Sequence, residues 1–432
     1  MKPIIEVFDG DQLVNQPPQN HITGVPRCAF VGFDANGTEV QVPIDENLLS
    51  RHIMLLGGIG TGKTNTFNQL IRQLRHSLTN DDIMIIFDTK GDFYKEFYTP
   101  GDIVISNDKT ATGPNGPDYW NIFNEISRDD KMEETIVEIS KSLFHEKLEK
   151  SSQPFFPTAA KDLFSAVLTY VCRNPDIAAN NKSLKEFLDS ANAAEYKKLL
   201  DKYEDLKGMK NYISGENSPQ TQGVISELQQ MEREIFIGNF KKEGTLSMKN
   251  IVRQKGGKLV FIEYDLGVGN MLAPIYSLLF DLAIKEALCR DKSEGNVYFI
   301  TDEFSLLPNL SHVDDAVNFG RSLGVKFMIG IQNIDQIYEN YGENRARSLL
   351  SGFLTSVCFR VNDPQSKEYI KEMFGKNRKK ETYNSAVQTR GLVEQVRDAN
   401  VVEDWDIARL KLGEAIIGLP GQQPFLFQFK RC

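Results

Sequence analysis

Three groups of residues have the types and spacing needed for phosphate chemistry. The first, Gly57-Gly58-Ile59-Gly60-Thr61-Gly62-Lys63-Thr64, is a complete G-x-x-x-x-G-K-[ST] phosphate loop, followed by Asn65. Small glycines let successive backbone N–H groups close around phosphates, Lys63 reaches the β and γ oxygens, and Thr64 offers a hydroxyl to Mg²⁺. Gly57 through Asn65 is therefore the expected nucleotide-binding segment, with ATP and Mg²⁺ as its ligands. The second group, Asp302-Glu303, closes the apolar run Val297-Tyr298-Phe299-Ile300-Thr301. An acid at such a strand end holds Mg²⁺, and the adjacent glutamate orients and deprotonates the attacking water. A small-molecule kinase needs an acceptor hydroxyl rather than an activated water, so Glu303 favours hydrolysis over kinase chemistry. The third group is Arg321, in Asn318-Phe319-Gly320-Arg321-Ser322-Leu323-Gly324, with Gln332 at the end of the run Val325–Ile331. Arginine can stabilise transition-state charge on a neighbouring subunit's nucleotide, and an amide at the carboxyl end of a parallel strand stands where open α/β sheets bind ligands.

Positioning these groups requires strands that deliver them to one edge of a sheet. Ile53-Met54-Leu55-Leu56 enters the phosphate loop, a helical pattern runs from Thr64 to His76, and Asp82–Asp88 is a nearly uninterrupted apolar strand of the kind buried in parallel sheets. Upstream, Asn36-Gly37 between two apolar runs predicts a hairpin. From about Lys131 to Met231 the pattern turns helical, and strands return at 258–264, 297–301, 325–331 and 355–361 with helices such as Leu272–Leu288 between them. The expected fold is an α/β, RecA-like P-loop NTPase with a mostly parallel sheet, an N-terminal β element and an all-α inserted domain. Its expected boundaries are 1–50 for the β element, 51–140 and 236–432 for the two parts of the core, the second ending in a β segment, and 141–235 for the insertion.

The 432 residues, 41% hydrophobic and 25% charged, describe ordinary globular material. A net charge of −9 carries no global signature of nucleic-acid binding, so contact with DNA has to come from local runs such as Arg253–Lys258 or Lys376–Lys380. Five scattered cysteines without a C-x-x-C pair fit reduced thiols and give no metal-ligand spacing. No leader and no apolar run of membrane-spanning length is visible, which sets the expectation of a cytoplasmic protein.

The order of motifs resembles the coupling-protein ATPases of conjugation and type IV secretion, the TraG/TraD-type branch of the HerA–FtsK group. The resemblance runs over about residues 25–430. It is carried by His52–Gly57, Phe87-Asp88-Thr89-Lys90-Gly91-Asp92, Trp120-Asn121-Ile122-Phe123, Ala159–Phe164, Asp302-Glu303-Phe304, Gly320–Gly324, Gly330-Ile331-Gln332-Asn333 and Leu412–Ile417. It implies a homo-hexamer, with Arg321 as a finger donated across the subunit interface and Gln332 linking nucleotide state to DNA. It further implies that residues near 150–235 form the all-α domain at the mouth of a central channel. Those coupling proteins usually begin with transmembrane helices. A chain without them would dock on a separate membrane partner, at the inner face of the cell membrane, or work away from a secretion channel.

The leading expectation is thus a Mg²⁺-dependent, hexameric ATPase that couples hydrolysis to DNA translocation. Lys63, Glu303, Arg321 and Gln332 are its catalytic residues, and Thr64 and Asp302 hold the metal. Partners would be DNA, of a strandedness the sequence leaves open, and relaxase or secretion-channel proteins. Two alternatives stay open: a nucleotide-gated module that recruits proteins through the helical insertion, and a DNA-processing or defence ATPase outside secretion. Stimulation by DNA favours a motor, and stimulation by a protein partner alone favours the recruiting module.

Overall fold

Strands buried on both faces are near-continuous apolar runs, because no side chain along them meets water. Ile53–Leu56, Val297–Thr301 and Val325–Ile331 are of this kind, and every residue in them is buried. They belong to a computed structural model that describes residues 4–108, 110–215, 217–289, 295–384 and 392–432. The chain divides into two compact units, one made of Met1–Thr79, Tyr298–Leu306 and Asp314–Cys432, the other of Asn80–Val297 and Leu307–Val313.

In the first unit the principal elements, in chain order, are strands β1 (Pro26–Asp34), β2 (Glu39–Asp45) and β3 (Ile53–Leu56), helix α1 (Lys63–Ser77), strands β4 (Val297–Thr301, of which Tyr298 onward is in this unit) and β5 (Val325–Ile331), helix α2 (Ile334–Tyr341), and strands β6 (Thr355–Cys358), β7 (Glu414–Gly418) and β8 (Phe425–Phe429). Their order across the sheet is β2-β1-β8-β7-β6-β3-β5-β4. Strand β3 runs parallel to both β6 and β5, with Leu56 opposite Cys358 and Ile331. β7, β8, β1 and β2 continue the sheet antiparallel. The β1–β2 hairpin turns at Asn36-Gly37, where Gly37 takes φ +81 and the Asp34 carboxylate accepts from the amides of Asn36 and Thr38. A separate three-stranded sheet joins Ile4–Asp9, Lys376–Asn384 and Leu392–Asn400.

In the second unit, strands Ile83–Asp88, Lys258–Glu263 and Ile103–Ile105 pair in parallel, in that order across the sheet. Its helices include Met132–Lys150, Phe155–Arg173, Asn181–Ser190, Ala193–Asp201, Pro219–Ile235 and Gly269–Leu288. Helix Phe155–Arg173 is buried on most sides, with Ala159, Ala160, Leu163, Phe164 and Val167 all in the core. The Trp120-Asn121-Ile122-Phe123 motif is a hydrogen-bonded hub of this unit. Asn181 donates to the Trp120 and Phe240 carbonyls, Asn121 to those of Ala179 and Gly244, and buried Glu125 accepts from the Trp120 indole and the Met248 and Lys249 amides. Burial pushes the Glu125 carboxyl up to about 7 despite those donors. Among the described residues no helix is long and apolar enough to cross a membrane.

Candidate functional site: the phosphate loop and the acids facing it

The loop between β3 and α1 is built for close approach of backbone to ligand. Gly62 takes φ +127 at the start of α1, and a Cβ there would lie 3.1 Å from Gly413 Cα and from the Phe359 ring. A Cβ at Gly57 would meet Phe359 Cβ at 2.6 Å. The strand ends fix the loop: Gly57 N donates to Ile331 O at 3.0 Å, Gly58 N to Arg360 O at 3.0 Å, and Thr61 Oγ1 to Gly58 O at 2.8 Å. Lys63 is buried, its Nζ donating to the carbonyls of Gly57 and Gly58.

Two motifs separated by 238 residues meet here, where Thr64 Oγ1 donates to Asp302 Oδ2 at 3.0 Å. Gly330 permits the close pairing beside it, because a Cβ at that position would lie 2.2 Å from the Asp302 carbonyl. Glu303 is buried, and Ser305 Oγ donates to its Oε1 at 2.6 Å. Its Oε2 is buried and makes no hydrogen bond of ordinary geometry. Burial raises the Glu303 carboxyl above its ordinary range; Ser305, the Lys63 charge and the nearby Gln332 amide pull the other way, and Asp302 adds to the rise. Gln332 itself is half-buried directly after β5, so Glu303, Gln332 and the phosphate loop share one edge of the sheet.

Arg321 is elsewhere. It lies in a 3₁₀ turn, Gly320–Leu323, at the amino end of β5, exposed, with its Nη2 donating to Asn47 Oδ1 at 2.8 Å. Asn65 faces the residues after β8 rather than the loop, donating from Nδ2 to Lys430 O and accepting at Oδ1 from Cys432 N. In the second unit, Asp88 is buried and accepts from the Lys90 and Tyr94 amides, which orders the turn into helix Asp92–Phe97. Four cations of the basic runs are charge-paired within the chain: Arg253 with Glu286, Arg378 with Asp398, Lys379 with Glu403 and Lys380 with Glu394.

Other residues brace the loop: Gly413 and His52 belong to runs that carry the resemblance, whereas Gln69 and Lys430 have no local sequence signal. Gly413 N donates to Thr61 O at 2.9 Å, and Gln69 of α1 bonds both Val31 and Lys430, tying the helix to β1 and to the residue that follows β8. His52, at φ +58, is buried between two backbone groups: Nε2 stands 3.1 Å from Val317 O, and Nδ1 accepts from Phe327 N at 3.0 Å. Desolvation holds its pKa down to about 4, so it is neutral, with the proton on Nε2. Among the described residues one other group has metal-ligand spacing, Glu138, Asp281 and His312 in the second unit. It is already closed by charge: Lys285 binds Glu138, and the amide and Nδ1 of His312 occupy both oxygens of Asp281.

Phosphate loop, opposed acids and a RecA-type sheet together define a P-loop nucleotide-binding fold. Residues 38–427 match the family described as the type IV secretion-system coupling protein DNA-binding domain, and the chain belongs to that family. It is similar to the coupling protein TraD of Escherichia coli strain K12, 22% identical over 454 aligned positions that cover 97% of this chain and 57% of TraD. Similarity to the type IV secretion system-coupling protein VirD4 of Bartonella quintana is 24% over 71% of this chain and 50% of that protein. The chain thus spans little more than half the length of the curated relatives it matches. Among solved structures, the plasmid coupling protein TrwB in complex with the non-hydrolysable ATP analogue ADPNP superimposes with a TM-score of 0.70 at 18% identity, covering 99% of this chain and 95% of that one.

Proposed function

We propose that this chain is a Mg²⁺-dependent ATPase that couples hydrolysis to the movement of DNA, as a ring of identical subunits in a conjugative or type IV secretion setting. The observation that carries the reading is the 3.0 Å contact of Thr64 with Asp302 beside buried Glu303. A hydroxyl and a carboxylate so placed fit one Mg²⁺, and the Lys63 ammonium rests on carbonyls from which phosphate oxygens would draw it. Bound Mg²⁺ would supply charge neutralisation on the β and γ phosphates. Glu303 takes the proton of the attacking water. Its burial suits it to that task, since a base works best with a pKa raised toward the working pH. Gln332 reports the γ-phosphate from the same edge.

The place of Arg321 supports a site shared between subunits. β5 has seven residues, which at about 3.3 Å each separates its ends by about 20 Å. Arg321 lies at one end and Glu303 and Gln332 at the other, so its guanidinium serves a neighbour's nucleotide. Support for DNA as cargo is the family itself. We read residues 141–235 as the all-α domain at the mouth of the channel, and relaxase or channel proteins as partners. Glu303→Gln tests the chemistry: ATP binding stays, and turnover falls by about 10²-fold or more. Near-normal hydrolysis in that variant overturns the assignment.

A further inference from the structure

Glu303 does not stand alone at the end of β4. Its Oε1 accepts from Ser305 Oγ at 2.6 Å, and the Ser305 carbonyl accepts from Asn340 Nδ2 at 2.6 Å. Asn340 lies in the last turn of α2, the helix that begins directly after Gln332-Asn333 and is capped by the Asn333 side chain. The turn between the acid and the serine is pinned to the same helix, because Phe304 stacks on Tyr341 with centroids 5.6 Å apart and planes 6° off parallel. Arg345 covers the Tyr341 ring at 5.1 Å and pairs with Asp314. A short polar chain therefore runs from the carboxylate through Ser305 and Asn340 to the helix that carries Gln332 at its foot.

We infer that Ser305 and Asn340 are positioning residues for Glu303, Ser305 fixing the carboxylate rotamer by holding Oε1 and Asn340 fixing the turn that presents the serine hydroxyl. The inference rests on the reading of Glu303 as the base. With Oε1 engaged by Ser305, Oε2 is the oxygen left to meet a water: it makes no hydrogen bond of ordinary geometry, although the Gln332 amide lies close to the carboxylate. A glutamate side chain free to turn spends most of its time out of line, and a misplacement of about 1 Å at a reacting group can cost about 10²-fold in rate. The link also ties the turn that carries the base to α2, the helix that begins two residues after Gln332.

The test is a double-mutant cycle on steady-state hydrolysis by the full chain. Ser305→Ala is expected to lower kcat about tenfold, with the KM for ATP and the Kd for a non-hydrolysable analogue within about twofold of wild type. Ser305→Thr, which keeps the hydroxyl, restores most of the rate. In a Glu303→Gln background Ser305→Ala has no further effect, because a residue that acts through another is silent once that other is gone. Asn340→Asp, which puts an oxygen against the Ser305 carbonyl, lowers kcat with the same unchanged KM and carries the test if Ser305→Ala is unstable. A kcat within twofold of wild type for both Ser305→Ala and Asn340→Asp overturns the inference. So does a loss that repeats in full in the Glu303→Gln background. Normal hydrolysis by Glu303→Gln alone overturns instead the reading of Glu303.

Discussion

A shared active site makes a quantitative prediction for mixed subunits. Within one chain, a unit charge acting across about 20 Å of water contributes about 0.2 kcal/mol, and salt screens it further. An arginine finger is worth about 10³-fold or more in rate, or about 4 kcal/mol. Arg321, held at the amino end of β5 by Asn47, therefore cannot act on its own phosphate loop at the other end of the strand. Lys63→Ala and Arg321→Ala are each expected to lose almost all turnover. Mixed at equal concentrations and allowed to reassemble, an intact loop meets an intact finger at about one interface in four in a head-to-tail ring. The mixture should recover up to about a quarter of wild-type hydrolysis, read by phosphate release against the mixing ratio. Activity no greater than the sum of the separate variants refutes the shared site and the geometry behind it.

Two further predictions concern the frame around the loop. Gly62→Ala forces a side chain into φ +127, 3.1 Å from Gly413 Cα, and should lower stability by about 1–3 kcal/mol while weakening nucleotide binding, measured by thermal melting and titration with an ATP analogue. His52 is neutral and buried with its pKa near 4, against an ordinary 6.5, so between those values the unfolded chain binds the extra proton and stability rises with pH. The contribution, about 3 kcal/mol, is full above pH 6.5 and lost as the pH falls toward 4. Denaturant midpoints at pH 7.5 and 4.5 should therefore differ more for wild type than for His52→Asn, a residue that tolerates the left-handed backbone; equal differences contradict the assignment.

What the sequence made legible is local. The phosphate loop is a contiguous motif, β4 and β5 are apolar runs with the bounds their patterns imply, and Asp302-Glu303 follows directly from the end of one of them. Helix α1 extends over Lys63–Ser77, one residue beyond each end of the Thr64–His76 pattern. The less legible parts depend on residues far apart in the chain. Ile4–Asp9 pairs with Lys376–Asn384, so a basic run that reads as solvated or DNA-facing is a strand whose charges meet acids on Leu392–Asn400 and at Glu403. Gly413 reaches Thr61 of the loop, and Lys430 reaches Gln69 of α1, only because β7 and β8 fold back antiparallel beside β6, and no spacing records that. His52 stands next to the loop strand, yet its role lies in hydrogen bonds to Val317 and Phe327, more than 260 residues away. Asn340 is likewise an ordinary polar helix residue until the turn at Ser305 is placed against it.

The coupling of ATP hydrolysis to DNA is tested most directly by phosphate release from the full chain at saturating Mg²⁺-ATP, with and without single- and double-stranded DNA, at two salt concentrations. Turnover is expected to rise several-fold with one of the two forms of DNA, a rise that weakens with salt as phosphate contacts are screened and that Glu303→Gln abolishes. Hydrolysis that is indifferent to both forms of DNA at low salt contradicts the coupling.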